Sequence, residues 1–209
     1  MSSLHLTLLA AVLAGLAACA PGAPRPAASY DEVTRRLVQF ASDLDGDGRI
    51  DQWTYMDGNR PLRAETDQDG DGRVDRWDYF DASGNLARVG TASGAGGVED
   101  TWTWAPDASG LRRVDQAPAG DRVIVRREFY QGEALIRVEE DAAGAGRIDT
   151  WREYREGQLR EVRIDTAGRG RPDRQILYDD RGEFAGVFED VDGDGRFVPV
   201  PAPRGVPRP

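Results

Sequence analysis

The sequence predicts an all-β fold: an antiparallel meander of about six β-hairpin repeats, twisted and at least partly closed as a barrel, a sandwich or a superhelical solenoid. Three observations predict it. Similar segments return every 24 to 25 residues, as in "SDLDGDGRIDQWTYMDGNRPLRAE" followed by "TDQDGDGRVDRWDYFDASGNLARVG". Within each segment aromatic and β-branched residues alternate with polar ones, the period-two signature of a strand. Between the alternating stretches stand Gly, Asp and Asn clusters that form turns.

The elements follow in order. "RRLVQFASD" matches the second half of a repeat, with Val38 in the place of Leu62, and supplies an opening strand. Each repeat then starts with a Gly-rich loop ending on Ile50, Val74, Val98, Val123 or Ile148. A first strand follows, with Trp53 and Tyr55, Trp77 and Tyr79, or Trp102 and Trp104 on one side. Turns such as Asp57-Gly58-Asn59 and Ser83-Gly84-Asn85 lead to a second strand. That strand opens on Leu62, Leu86, Leu111, Leu135, Leu159 or Phe184, and most copies place a valine (Val89, Val114, Val138, Val162, Val187) three residues on. A truncated copy at "DVDGDGRFVPV" closes the array, as terminal units of repeat proteins do. A lone sheet leaves an apolar face open to water, so closure of the array on itself is expected. The in-register tryptophans Trp53, Trp77, Trp102 and Trp151 are read as packing residues of that interior.

The organisation expected is a leader at 1–18, a Pro/Ala-rich tether at 19–29, one repeat domain at 30–198 and a Pro-rich disordered tail at 199–209. The leader "MSSLHLTLLAAVLAGLAAC" is an apolar run ending in Leu16-Ala17-Ala18-Cys19. It resembles a bacterial lipoprotein signal, and that resemblance implies cleavage before Cys19 and lipidation of Cys19, which anchors the chain to a membrane. Ala20 after the cysteine is similar to the pattern of lipoproteins sent to the outer membrane, facing the periplasm or the cell surface. The run is shorter than the about 20 apolar residues a membrane-spanning helix needs.

Composition narrows the chemistry. Cys19 is the one cysteine and His5 the one histidine, so a chain cleaved at the lipobox has no imidazole and no free thiol. Cys/His and Ser/His/Asp catalysis and His- or Cys-ligated zinc are then excluded, and oxygen ligands for hard cations remain. The 27 basic residues are all arginine and stand against 37 acids, for a net charge of −10 with no basic cluster, which argues against nucleic acid as a partner.

Two loops carry the most specific motif. "DLDGDGRID" offers Asp43, Asp45, Asp47, the carbonyl of Arg49, and Asp51; "DQDGDGRVD" offers Asp67, Asp69, Asp71, the carbonyl of Arg73, and Asp75. The closing copy offers Asp190, Asp192, Asp194 and the carbonyl of Arg196, with Val198 at the ninth position and Glu189 alongside. Alternate carboxylates around a glycine bend repel one another unless a divalent cation neutralises them, although Asp-Gly is also a good solvated turn. The loops at Asp43 and Asp67 resemble EF-hand calcium loops over their first nine positions, and the resemblance implies Ca2+. The twelfth position, a bidentate Glu in that family, is Thr54 or Asp78 here, and strands flank the loops instead of helices. The middle copies "DAAGAGRID" and "DTAGRGRPD" keep only the first and ninth aspartates, so the turn is expected to form without a full ligand set.

The expectation is therefore a non-enzymatic envelope lipoprotein whose calcium-binding loops brace a β-scaffold for a structural or partner-binding role, the partner being an envelope protein or a glycan. The alternatives are an assembly or adhesion factor with purely structural loops, or a carboxylate-dependent glycan-acting enzyme with its site near "EDTWTW" or "RREFYQGE".

Overall fold

A computed structural model describes residues 26–94 and 97–201. The leader at 1–18, the lipidation site Cys19 and most of the Pro-rich tail lie outside those residues. The described chain forms one antiparallel sheet of fifteen strands in sequence order, without helices. β1 (Ala27–Tyr30) and β2 (Leu37–Ser42) open it, so Ala27 to Ser29 of the expected tether belong to the sheet. Six hairpins follow: β3 (Gln52–Asp57) with β4 (Arg60–Thr66), β5 (Arg76–Phe80) with β6 (Leu86–Thr91), and β7 (Thr101–Trp104) with β8 (Leu111–Gln116). The others are β9 (Arg126–Gln131) with β10 (Ala134–Glu140), β11 (Thr150–Arg155) with β12 (Gln158–Ile164), and β13 (Arg174–Tyr178) with β14 (Phe184–Glu189). β15 (Val198–Pro199) closes the series.

Local chemistry sets the hairpins. In the two-residue turn between β11 and β12, Glu156 and Gly157 both have positive φ, 53° and 77°, as a type I′ turn matching strand twist requires. Wider turns are held by an aspartate that accepts downstream amides: Asp81 from Ser83 and Asn85, and Asp179 from Arg181 and Glu183. A register shift recurs just before the turn, at Tyr55/Met56, Tyr79/Phe80, Glu153/Tyr154 and Leu177/Tyr178. Such bulges bend a strand and increase its twist.

Of the forms expected, neither the barrel nor the sandwich occurs. The sheet is not a barrel, and among the described residues each strand packs only against its sequence neighbours. The reason lies in what stands between the apolar residues. Pairing runs one row across Val89, Thr103, Val114, Glu128, Val138, Arg152 and Val162. Val138 is fully buried there without a second layer. Its cross-strand neighbours Glu128 and Arg152 belong to an ion-paired set in which Arg126 bonds Glu128 at 2.8 Å and Glu140 at 2.7 Å, and Glu140 also bonds Arg152. The long side chains of Glu128 and Arg152 flank the valine from both neighbouring strands, where their apolar stems can shield it.

The opposite face is a ladder of rings and guanidinium groups. Pairing alternates Tyr55, Arg63, Tyr79, Arg88 and Trp104, and continues through Arg113, Phe129 and Arg137. Arginine lies over its ring at 4.0 Å for Arg88 on Tyr79, 4.5 Å for Arg113 on Trp104 and 3.9 Å for Arg137 on Phe129. Each such contact contributes about 0.5–2 kcal/mol. In the adjoining row Trp77 and Trp102 are buried, while Trp53 and Trp151 are half-buried. The tryptophans thus pack within one face of an open sheet, not in an enclosed interior.

Candidate metal centres

A meander alternates its connections, so all the Gly-rich loops stand along one edge of the sheet and the tight turns along the other. Each loop is stitched to the next. The ninth-position residue accepts the first amide of the following loop: Asp51 from Asp67 at 2.8 Å, Asp149 from Asp165 at 2.8 Å, and Asp173 from Asp190 at 2.9 Å.

Two carboxylates shape each loop. The first aspartate receives amides from the bend: Asp43 from Gly46 and Gly48, Asp67 from Gly70 and Gly72, Asp141 from Ala145 and Gly146, Asp165 from Arg169 and Gly170. The glycines permit this: Gly46 and Gly48 have φ of 82° and 99°. The ninth aspartate turns back to the loop's opening. Asp149 accepts Ala142 N–H at 3.0 Å, Ala143 N–H at 2.9 Å and the Thr150 hydroxyl at 2.8 Å. Burial pushes the Asp149 carboxyl up, but the bonds from Thr150, Ala143 and Ala142 outweigh it and hold the group below its ordinary value. Asp173 behaves alike: the upward push of burial is outweighed by Thr166 and Ala167. Copies with and without the extra acids therefore build the same turn.

The acids beyond that frame come together. Ligand atoms of Asp43, Asp45 and Asp51, of Asp67, Asp69 and Asp71, and of Asp190, Asp192 and Asp194 lie within 4.8 Å of one another in each group. These groups comprise most of the carboxylates expected as ligands. Asp47 and Asp75 stand outside the triads: Asp47 accepts the Arg49 amide, and one oxygen of Asp75 accepts the Gln68 and Asp69 amides. Asp78, at the twelfth position, pairs with Arg76 at 2.7 Å, and Glu189 beside the third loop pairs with Arg174 at 2.7 Å. A cavity of about 300 Å³ opens beside the second triad, lined by Asp69, Asp71, Asp75, Thr91 and Ser93.

The residues present fit a hard cation. The donors are all oxygen, and within the third triad Asp190 keeps one buried oxygen (Oδ1) without a hydrogen-bond partner. Among the described residues the structure thus brings together three acidic triads that could hold a metal ion.

In "EDTWTW", one of the two segments singled out for a carboxylate-dependent site, the acids make close local contacts. Asp100, 1 % exposed, accepts the Ser93 amide and hydroxyl. Glu99 lies where a side chain at residue 90 would stand: a Cβ on Gly90 would sit 2.1 Å from its Oε1. Burial, then the Glu99 carboxylate, pushes the Tyr79 hydroxyl up.

The reading of the residues missed the arginine ladder. Its signal was present: Arg63, Arg88, Arg113 and Arg137 recur at the repeat spacing, in the second strand of successive hairpins. Among the described residues no helix is long and apolar enough to cross a membrane. No protein-family model matches the chain, and a search of the curated proteins finds no match.

Proposed function

We propose that this protein is a non-catalytic lipoprotein of the cell envelope, anchored through Cys19, in which Ca2+ bound by acidic loops braces a β-repeat scaffold that meets an envelope protein or glycan. One observation carries the calcium reading. The loops at Asp141 and Asp165 form the same turn with only the first and ninth aspartates, so the additional carboxylates of the loops at Asp43, Asp67 and Asp190 are not needed for folding the turn. Holding them within 4.8 Å of one another costs Coulomb energy that a divalent cation relieves. The leader ending in Leu16-Ala17-Ala18-Cys19 supports the anchor.

Calcium loops of extracellular modules bind at about 10⁻⁴ to 10⁻³ M. At about 1 mM calcium each filled loop then contributes about 0.4 to 1.4 kcal/mol. The test is thermal unfolding of the detergent-solubilised protein in calcium, in magnesium and in chelator. Calcium raises the melting temperature more than magnesium does, and Asp45→Ala with Asp69→Ala removes most of the gain. Identical melting in calcium and chelator refutes the brace and leaves the loops as turns alone. In cell fractionation, release of Cys19→Ser from the membrane pellet supports the anchor, and its retention there refutes it.

A further inference from the structure

Asp190 differs from the other aspartates that open a loop. Asp43, Asp67, Asp141 and Asp165 each accept two amides, one on each carboxylate oxygen. Asp190 accepts one, from Gly195 at 3.1 Å. Its Oδ1 is buried without a hydrogen-bond partner, in a residue only 7 % exposed. A carboxylate oxygen taken from water and given no donor is destabilising. The neighbouring guanidinium groups do not relieve it. Those of Arg169 and Arg171 come up against Gly193, and Arg196 pairs with Asp194 at 3.6 Å, yet none donates to Oδ1 of Asp190. A cation held among Asp190, Asp192 and Asp194 would supply that partner.

This loop also leads into the weakest strand. β15 pairs with β14 through Phe188 with Pro199 and Glu189 with Val198, reinforced by the Val200 amide on the Val187 carbonyl at 2.8 Å. Pro199 and Pro201 have no N–H to give. By contrast β3 and β5, which follow the other acidic loops, are six and five residues long and paired on both sides. A cation in those loops braces strands already held. At Asp190 it decides whether the last strand stays in place.

We infer that the loop at Asp190 is a divalent-cation latch: with the cation held by Asp190, Asp192 and Asp194, β15 covers the outer edge of β14, and without it β15 lifts. The inference rests on the calcium reading above and adds to it a conformational consequence at one site. The edge released runs along Val187, Phe188 and Glu189, where exposed main-chain N–H and C=O groups form a template for a further strand. Phe184 is 64 % exposed on the same strand, so the uncovered edge carries an apolar anchor.

Hydrogen exchange of the full chain, read by mass spectrometry in calcium and in chelator, tests the latch. With about 1 mM calcium and a dissociation constant of about 10⁻⁴ to 10⁻³ M, closed β15 gains about 2- to 11-fold over open. The amides of 187–200, that of Val200 above all, are expected to exchange more slowly by that factor. Asp192→Asn with Asp194→Asn abolishes the effect there and leaves the response of 43–75 intact. Slowing at 43–75 with none at 187–200 overturns the latch and leaves the brace standing. Slowing at 187–200 that survives the double substitution also overturns it. No response in either segment overturns the latch and the calcium reading together.

Discussion

Replacing Asp149 by alanine separates the carboxylates that build the loops from those that wait for a cation. Asp149 is 5 % exposed and accepts three bonds, from the Ala142 and Ala143 amides and the Thr150 hydroxyl. A hydrogen bond to a charged group contributes about 1.5–3 kcal/mol when the partner it abandons stays buried. Ala142 and Ala143 are exposed, so water replaces the carboxylate at their amides and only a fraction of that sum is lost. The expected cost is about 2 kcal/mol, since both the loop's opening and the buried Thr150 lose their partner. For a domain of this size that corresponds to a fall of roughly 4–8 °C in melting temperature. Asp45→Ala is the contrast: its side chain is exposed and accepts only the Asp47 amide, at 2.9 Å. Thermal or urea unfolding of both variants, each in calcium and in chelator, reads the difference. Asp149→Ala loses the same amount in both media, whereas Asp45→Ala loses stability in calcium alone. Wild-type stability for Asp149→Ala, or an equal loss for Asp45→Ala in chelator, refutes the division of roles.

Two further outcomes follow from the geometry. The Asp149 and Asp173 carboxyls titrate below their ordinary value in the folded chain. Their stabilisation is therefore full above the unfolded value of about 3.9 and is lost as pH falls through the lower folded values. Melting temperature in chelator should hold from neutral pH to about pH 5 and drop below about pH 4, with a shallower drop in Asp149→Asn; the same acid slope in that variant contradicts the assignment. Gly90→Ala places a Cβ 2.1 Å from Oε1 and 2.8 Å from Cδ of Glu99, so Glu99 must leave its place beside Arg88. The expected loss is roughly 1–3 kcal/mol by urea unfolding, and an unchanged midpoint counts against the packing described.

The hairpins, their turns and the acidic triads were legible in the chain because each is made within a few residues of itself. Trp77 and Tyr79 share a face through the two-residue period, and Gly70 and Gly72 turn the Asp67 loop inward through their own positive φ. Asp67, Asp69 and Asp71 meet for the same local reason. Which acid completes a triad was not legible: Asp51 joins Asp43 and Asp45, whereas Asp75 stands outside its triad and Asp71 takes part. The two loops differ in sequence at only a few positions, none of them a candidate ligand, so their letters do not show which acid turns inward.

The sequence by itself determined the all-β meander, the repeat of 24 to 25 residues and the oxygen-rich chemistry of its acidic loops. Only the tertiary structure decided that the sheet stays open. An alternation read along one strand shows that a face is apolar, but not what covers it. Cover comes from side chains on the neighbouring strands: Glu128 and Arg152 beside Val138, and Arg88 over Tyr79. The same is true at the end of the array. That Asp190 keeps a buried oxygen without a donor depends on Gly195 alone reaching it. The letters "DVDGDG" are nearly those of "DLDGDG", and the difference lies in how the chain folds around them.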